Sequence, residues 1–213
     1  MPAPDRFFEP DCRDCPRLAT FLDDVRAKHE DYHAAPVPSF GPLDARLLIV
    51  GLAPGMHGAN RTGRPFTGDY AGILLYETLN KLGLASSSVS TARGDGLELI
   101  GCRITNAVKC LPPGNKPTTD EIKTCNRFLG AELEACKDMR VMLALGRIAH
   151  DAVLRALNLK LSAYRFGHGA EHAMPGGRIL VDSYHCSRYN TQTRRLTTEM
   201  FEKVVTRART MAR

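Results

Sequence analysis

The sequence predicts an α/β fold: a mainly parallel sheet with helices on both faces. Three observations carry this. Short apolar runs of strand length recur along the chain. Most are followed by stretches with apolar residues at helical spacing. Proline and glycine clusters punctuate the two. Strands alternating with helices imply crossover connections, and hence parallel pairing.

After an N-terminal arm, Leu18, Phe21, Leu22 and Val25 recur on one side of a helix expected over about 16–31. Pro36, Pro38 and Pro42 end it and lead into the first strand, 46–51, whose core is Leu47-Leu48-Ile49-Val50. A glycine-rich loop follows, then a helix over about 70–82. Residues 101–108 (GCRITNAV) read as the second strand. Thr118-Thr119-Asp120-Glu121 has the form of a helix start, with a threonine cap and acids in the first turn, and this helix should reach about 136. The remaining elements are a strand at 140–145, a helix at 147–157, a strand at 178–182 and a helix at about 197–211. In such sheets ligands bind at the carboxyl ends of the strands. Those ends carry residues 51–54, Asn106, Gly146 and Ser183-Tyr184-His185.

A length of 213 residues suits one domain, 1–213. With 43% hydrophobic and 24% charged residues, the chain is not disordered. No apolar run is long enough for a membrane span, and the N-terminus has no secretory pattern, so a cytoplasmic protein is expected. The net charge of +6 favours polyanions such as nucleic acid. It is concentrated at the end: between Arg188 and Arg213, seven basic residues face two acids.

Seven cysteines, an odd number, argue for reduced thiols over a disulfide framework. Cys12 and Cys15 form C-x2-C, and Cys110 and Cys125 flank a proline-rich turn. Four thiolates suit either an iron–sulfur cluster or a structural zinc, and spacing alone does not choose. Cys102, Cys136 and Cys186 read as buried or incidental.

Three motifs fail on physical grounds. The loop around Gly58–Gly63 ends in Arg64-Pro65, not the lysine and hydroxyl of a phosphate-binding loop. His168-Gly169-Ala170-Glu171-His172 has the spacing of a zinc peptidase, but the glycines around it oppose the helix which that chemistry needs. Cys12-Arg13-Asp14-Cys15 lies ahead of any strand, outside the usual setting of a redox pair.

Three blocks together resemble the iron–sulfur enzymes of the uracil-DNA glycosylase superfamily, family 5 in particular. They are GLAPGMHGANRTGRPFTGDYAG (51–72), ITNAVKCLPPGNKPTTDEIKTC (104–125) and SYHCSRYNTQTRRLT (183–197), the last preceded by Phe166-Gly167-His168-Gly169-Ala170. The resemblance implies a three-layer α/β/α sandwich around a four-stranded, mainly parallel sheet. It implies a structural [4Fe–4S] cluster on Cys12, Cys15, Cys110 and Cys125. It also implies a monomeric, monofunctional enzyme of base excision repair that flips uracil, and other deaminated bases such as hypoxanthine or xanthine, out of DNA and hydrolyses the glycosidic bond.

The same resemblance distributes roles. His185 would donate to uracil O2, Asn106 would read the base edge, Phe66 would stack on it, and the backbone of Gly51, Leu52 and Ala53 would line the pocket. Leu52 stands where many relatives carry a polar water activator. Asp69 is then the candidate substitute, although an aspartate there also suits a helix cap. Arg188 and Tyr189 would fill the gap left by the flipped base, and Arg61, Asn190, Thr191 and Arg194 would meet phosphates. A cluster-bearing nucleic-acid-binding module without catalysis is the alternative.

Overall fold

The computed structural model describes residues 7–213. Five strands form one sheet: β1 (Leu47–Gly51), β2 (Cys102–Asn106), β3 (Val141–Leu145), β4 (Glu171–Ala173) and β5 (Ile179–Ser183), in the order β2-β1-β3-β5-β4. The pairs β1–β2, β1–β3 and β3–β5 are parallel, and β4 lies antiparallel to β5. Three of the parallel strands are buried on both faces, and two of them, β1 and β3, accordingly read as unbroken apolar runs.

Alternation along each strand divides the core. Leu47 and Ile49 face α3 (Tyr70–Lys81) and α7 (Thr198–Met211), packing with Leu75, Leu79, Phe201 and Val205. Leu48 and Val50 face α4 (Thr119–Ala135) and α5 (Arg147–Ala156), with Leu129, Leu133 and Val153. The result is the expected three-layer sandwich. α1 (Pro16–Lys28) closes a third apolar cluster with Val108, Leu111 and Phe128. Arg17 on α1 donates to Glu121 at 2.7 Å, and Glu121 closes a capping box with Thr118, so one acid fixes the start of α4 and docks α1 beside it.

The sheet has five strands, one more than the resemblance implied. The added strand, β4, is three residues long, alternates exposed and half-buried, and has no apolar signature to read. α1 also stops at Lys28, three residues short of the expected end, because Val25 is its last core residue and His29 already leaves helical geometry. Two short helices had no periodicity to announce them, α2 (Ala59–Thr62) and α6 (Arg188–Gln192). No helix among the described residues is long and apolar enough to cross a membrane.

Candidate active site

Gly51 ends β1 directly opposite Asn106 at the end of β2. A side chain on Gly51 would put its Cβ 2.4 Å from Asn106 Oδ1 and 2.6 Å from the Phe66 ring, so only glycine lets both groups close in here. The Asn106 amide is almost fully buried and has no protein hydrogen-bond partner among the described residues. The amide is therefore free to donate to and accept from a ligand at the strand ends. The Leu52 carbonyl accepts from Val108 N, and that of Gly51 from Ala107 N, which ties the loop after β1 to the end of β2. Leu52 and Ala53 are half-buried.

His185 enters from β5. Its ring lies 5.8 Å from that of Phe66 at 26°, and Gly146 lets its Cβ approach the end of β3. Burial pushes the His185 imidazole down to about 4, so it is neutral at physiological pH. A neutral ring carries one N–H to donate, and no protein acceptor for it exists among the described residues.

Phe66 is held in the left-handed region at φ +53°, a strained conformation for an aromatic residue. Its neighbours enforce it. A Cβ on Gly72 would fall 1.8 Å from the Phe66 carbonyl, so α3 can pack here only through glycine. Tyr76 donates to the Pro65 carbonyl at 2.9 Å. Arg64, almost fully buried, donates to Thr67 and Ser90 and is paired with Asp95.

Asp69 caps α3: its Oδ1 accepts from Gly72 N at 3.0 Å. Its Oδ2 turns towards the glycine loop, where a Cβ on Gly58 would lie 2.4 Å away and one on Gly55 3.2 Å. Burial raises the Asp69 carboxyl above the ordinary range, opposed by the N–H groups of Gly72 and Ala71. One oxygen is thus occupied by the cap and the other faces the loop after β1.

A second centre lies under α1. Cys12, Cys15, Cys110 and Cys125 line one enclosed space with Leu18, Val108 and Phe128, and all four are free thiols. Lys109 N donates to Cys125 Sγ at 3.2 Å, and Arg127 lies 3.7 Å from Cys12 Sγ. Burial, reinforced by the neighbouring sulfurs, pushes the Cys15 thiol up to about 11 and raises Cys110 as well. Four thiols gathered in one space can shed their protons together only around a cationic centre. No three of the sulfurs lie within 4.8 Å of one another, whereas sulfurs on one tetrahedral zinc stand about 3.8 Å apart. The four side chains are of the type that holds a metal centre.

The family model of the Uracil DNA glycosylase superfamily matches residues 38–209. The chain belongs to the uracil-DNA glycosylase superfamily. It is 50% identical to the type-5 uracil-DNA glycosylase of Thermus thermophilus over 94% of both chains. Its identity to the type-5 enzyme of Pyrobaculum aerophilum is 43%, over 92% of this chain and 87% of that one. With the type-4 enzyme of Saccharolobus solfataricus it falls to 32%, over 79% and 74%.

Around this superfamily site the third block forms a short projecting element. Ser187 caps α6, which carries Arg188 and Tyr189 outwards; the Tyr189 ring is 71% exposed. Asn190 donates its amide to the His185 carbonyl at 2.8 Å, and the Thr191 hydroxyl turns back to the carbonyls of Ser187 and Arg188. Both residues therefore order the element. Arg194 is exposed at φ +56°, and Arg61 is exposed on the other side of the site, its Nε donating to the His57 carbonyl. Sequence reasoning missed Gly72, Arg64 and Asp95, which hold Phe66. Their one signal was Arg64-Pro65 inside the first block, dismissed once it failed as a phosphate loop.

Proposed function

We propose that this chain is a monofunctional DNA glycosylase that removes uracil from DNA with water as the nucleophile, at the start of base excision repair. The observation that carries the reading is the gathering at the strand ends of the Phe66 ring, with the Asn106 amide beside it at Gly51 and the neutral His185 ring 5.8 Å away, drawn from three distant segments. Phe66 offers its face to the extruded base. Asn106 both donates and accepts, as a base edge with N–H and C=O requires. As the bond between C1′ and the base nitrogen breaks, its electron pair leaves on the base, and His185 donates its ring N–H to the oxygen where that charge gathers. Asp69 Oδ2 orients the water that attacks C1′ and takes up its proton. Arg188 and Tyr189 occupy the vacated stack, and Arg61 and Arg194 contact phosphates. Asn190 and Thr191 stand in the same loop beside the backbone.

The four cysteines would hold a [4Fe–4S] cluster, whose chemistry here is structural: it would tie the arm and the 110–125 segment together. The gathering of the four thiols in one pocket and the type-4 and type-5 relatives support it. Hypoxanthine and xanthine are further substrates in this reading, since a single amide reads the base edge and leaves latitude for purines. The enzyme would act as a cytoplasmic monomer on chromosomal DNA.

A uracil-containing oligonucleotide, incubated with anaerobically purified brown protein and cleaved with alkali, should give a strand break at the uracil. Intact strands would overturn the glycosylase reading, and retained binding of the same oligonucleotide would then favour a non-catalytic DNA-binding module. About four irons per chain are expected, and zinc in their place would overturn the cluster.

A further inference from the structure

On the sheet face away from the pocket, Asp182 of β5 is fully buried and receives three donors. His150 Nδ1 lies 2.7 Å from Oδ1, while His172 Nε2 and Gly167 N lie 3.1 and 3.3 Å from Oδ2. The second nitrogen of His150 meets the Tyr164 carbonyl at 3.1 Å. With the Asp182 carboxylate ionised, both nitrogens of His150 face acceptors, an arrangement that favours a doubly protonated ring. Burial alone lowers its pKa, but the hydrogen bond and charge of Asp182, with the Tyr164 carbonyl, outweigh this and raise it.

The three side chains could be read as a metal site, since their donor atoms lie within 4.8 Å of one another. Two ligands about 2 Å from one zinc at the tetrahedral angle stand about 3.3 Å apart. The 2.7 Å contact is tighter than that and is bridged by a proton.

Asp182 pins the 164–170 segment three more times through its surroundings. Gly169 N donates to its carbonyl, Ala170 accepts from its N–H, and His150 holds Tyr164. That segment presents His168, whose Nδ1 accepts from Tyr184 N at 3.1 Å and whose ring stacks on Tyr184 at 5.1 Å. Tyr184 immediately precedes His185, and its ring also meets Phe166 of the same segment at 6.2 Å and Arg195 of the third block at 4.6 Å. A continuous set of contacts therefore runs from one buried carboxylate to the backbone of the histidine in the pocket.

We propose that Asp182 is a positioning residue for His185, acting through the 164–170 segment and Tyr184. The proposal rests on the glycosylase reading given above. Asp182 touches no part of the substrate, so its loss should leave binding alone and misplace the donor. In Asp182→Asn, kcat for uracil release should fall at least ten-fold while KM for the oligonucleotide stays within about two-fold. Ring 15N spectra supply a readout independent of activity: both nitrogens of His150 protonated in the unaltered protein, and His185 resonances displaced in the variant. If Asp182→Asn does not fold, His172→Gln removes one edge contact and should lower kcat about three-fold with KM unchanged. A rise in KM alone, unmoved His185 resonances, or a singly protonated His150 would overturn the proposal. Absence of uracil release by the unaltered protein would instead overturn the glycosylase reading, while the spectra still decide the role of Asp182.

Discussion

A carboxylate that caps a helix with one oxygen and faces a glycine loop with the other has separable functions, and Asp69 can be tested on that basis. Its raised pKa means that the folded protein disfavours the charge, so Asp69 lowers stability as pH rises through its folded value. Asparagine caps a helix as well as aspartate and carries no charge. Asp69→Asn should therefore keep or raise the melting temperature at neutral pH while lowering uracil release about 100-fold or more. Full activity in that variant would reduce Asp69 to a cap. His185 titrates in the opposite sense. It binds protons in the unfolded chain from pH 6.5 downwards but in the folded one only near 4, so stability is complete above pH 6.5 and declines as pH falls towards 4. His185→Asn should flatten the denaturation midpoint across that window, and its kcat should fall about 100-fold or more, as when an oxyanion donor is removed.

At the scale of elements, the strand ends are the part of the site that the sequence made legible. Asn106 stands at the carboxyl end of β2 and His185 just past that of β5, and parallel topology sends such ends to one edge. The devices that shape Phe66 were not legible, because they are contacts between segments. Asp95 lies 31 residues from Arg64 in a loop without periodicity, and only the fold shows that it neutralises a buried guanidinium. Removing one partner of such a pair destabilises by about 3–5 kcal/mol. Asp95→Ala should show a loss of that size in urea unfolding, together with weaker uracil release as the strained Phe66 loses its support. Because Arg64 holds the Asp95 carboxyl well below its usual range, this stabilisation is present at neutral pH and is lost only in strong acid. β4 escaped for the reverse reason: three half-exposed residues on a sheet edge leave no trace in an apolar pattern.

For the whole molecule, the basic tail resolves into two poles. Arg188 and Arg194 stand beside the strand ends, whereas α7 carries the later cations away from them. Arg207 is paired with Glu171, and the Arg213 carbonyl is gripped by Arg46 and Arg140 at the amino ends of β1 and β3. With Arg61 and Arg194 on phosphates, the logarithm of DNA affinity should fall with the logarithm of salt at a slope of about −2. Alanine at either should reduce the slope by about 1, and alanine at Arg207 should leave it unchanged; equal effects would return the tail to the interface. The cysteine-lined space has its own consequence, for biosynthesis. Two of its sulfurs come from the arm before α1 and two from beyond β2. At about 5–20 residues per second, the first pair waits roughly 5–20 s on the ribosome for its partners. During that interval Cys12 and Cys15 are unprotected thiols, so oxidative stress should strike newly made chains before it harms finished ones.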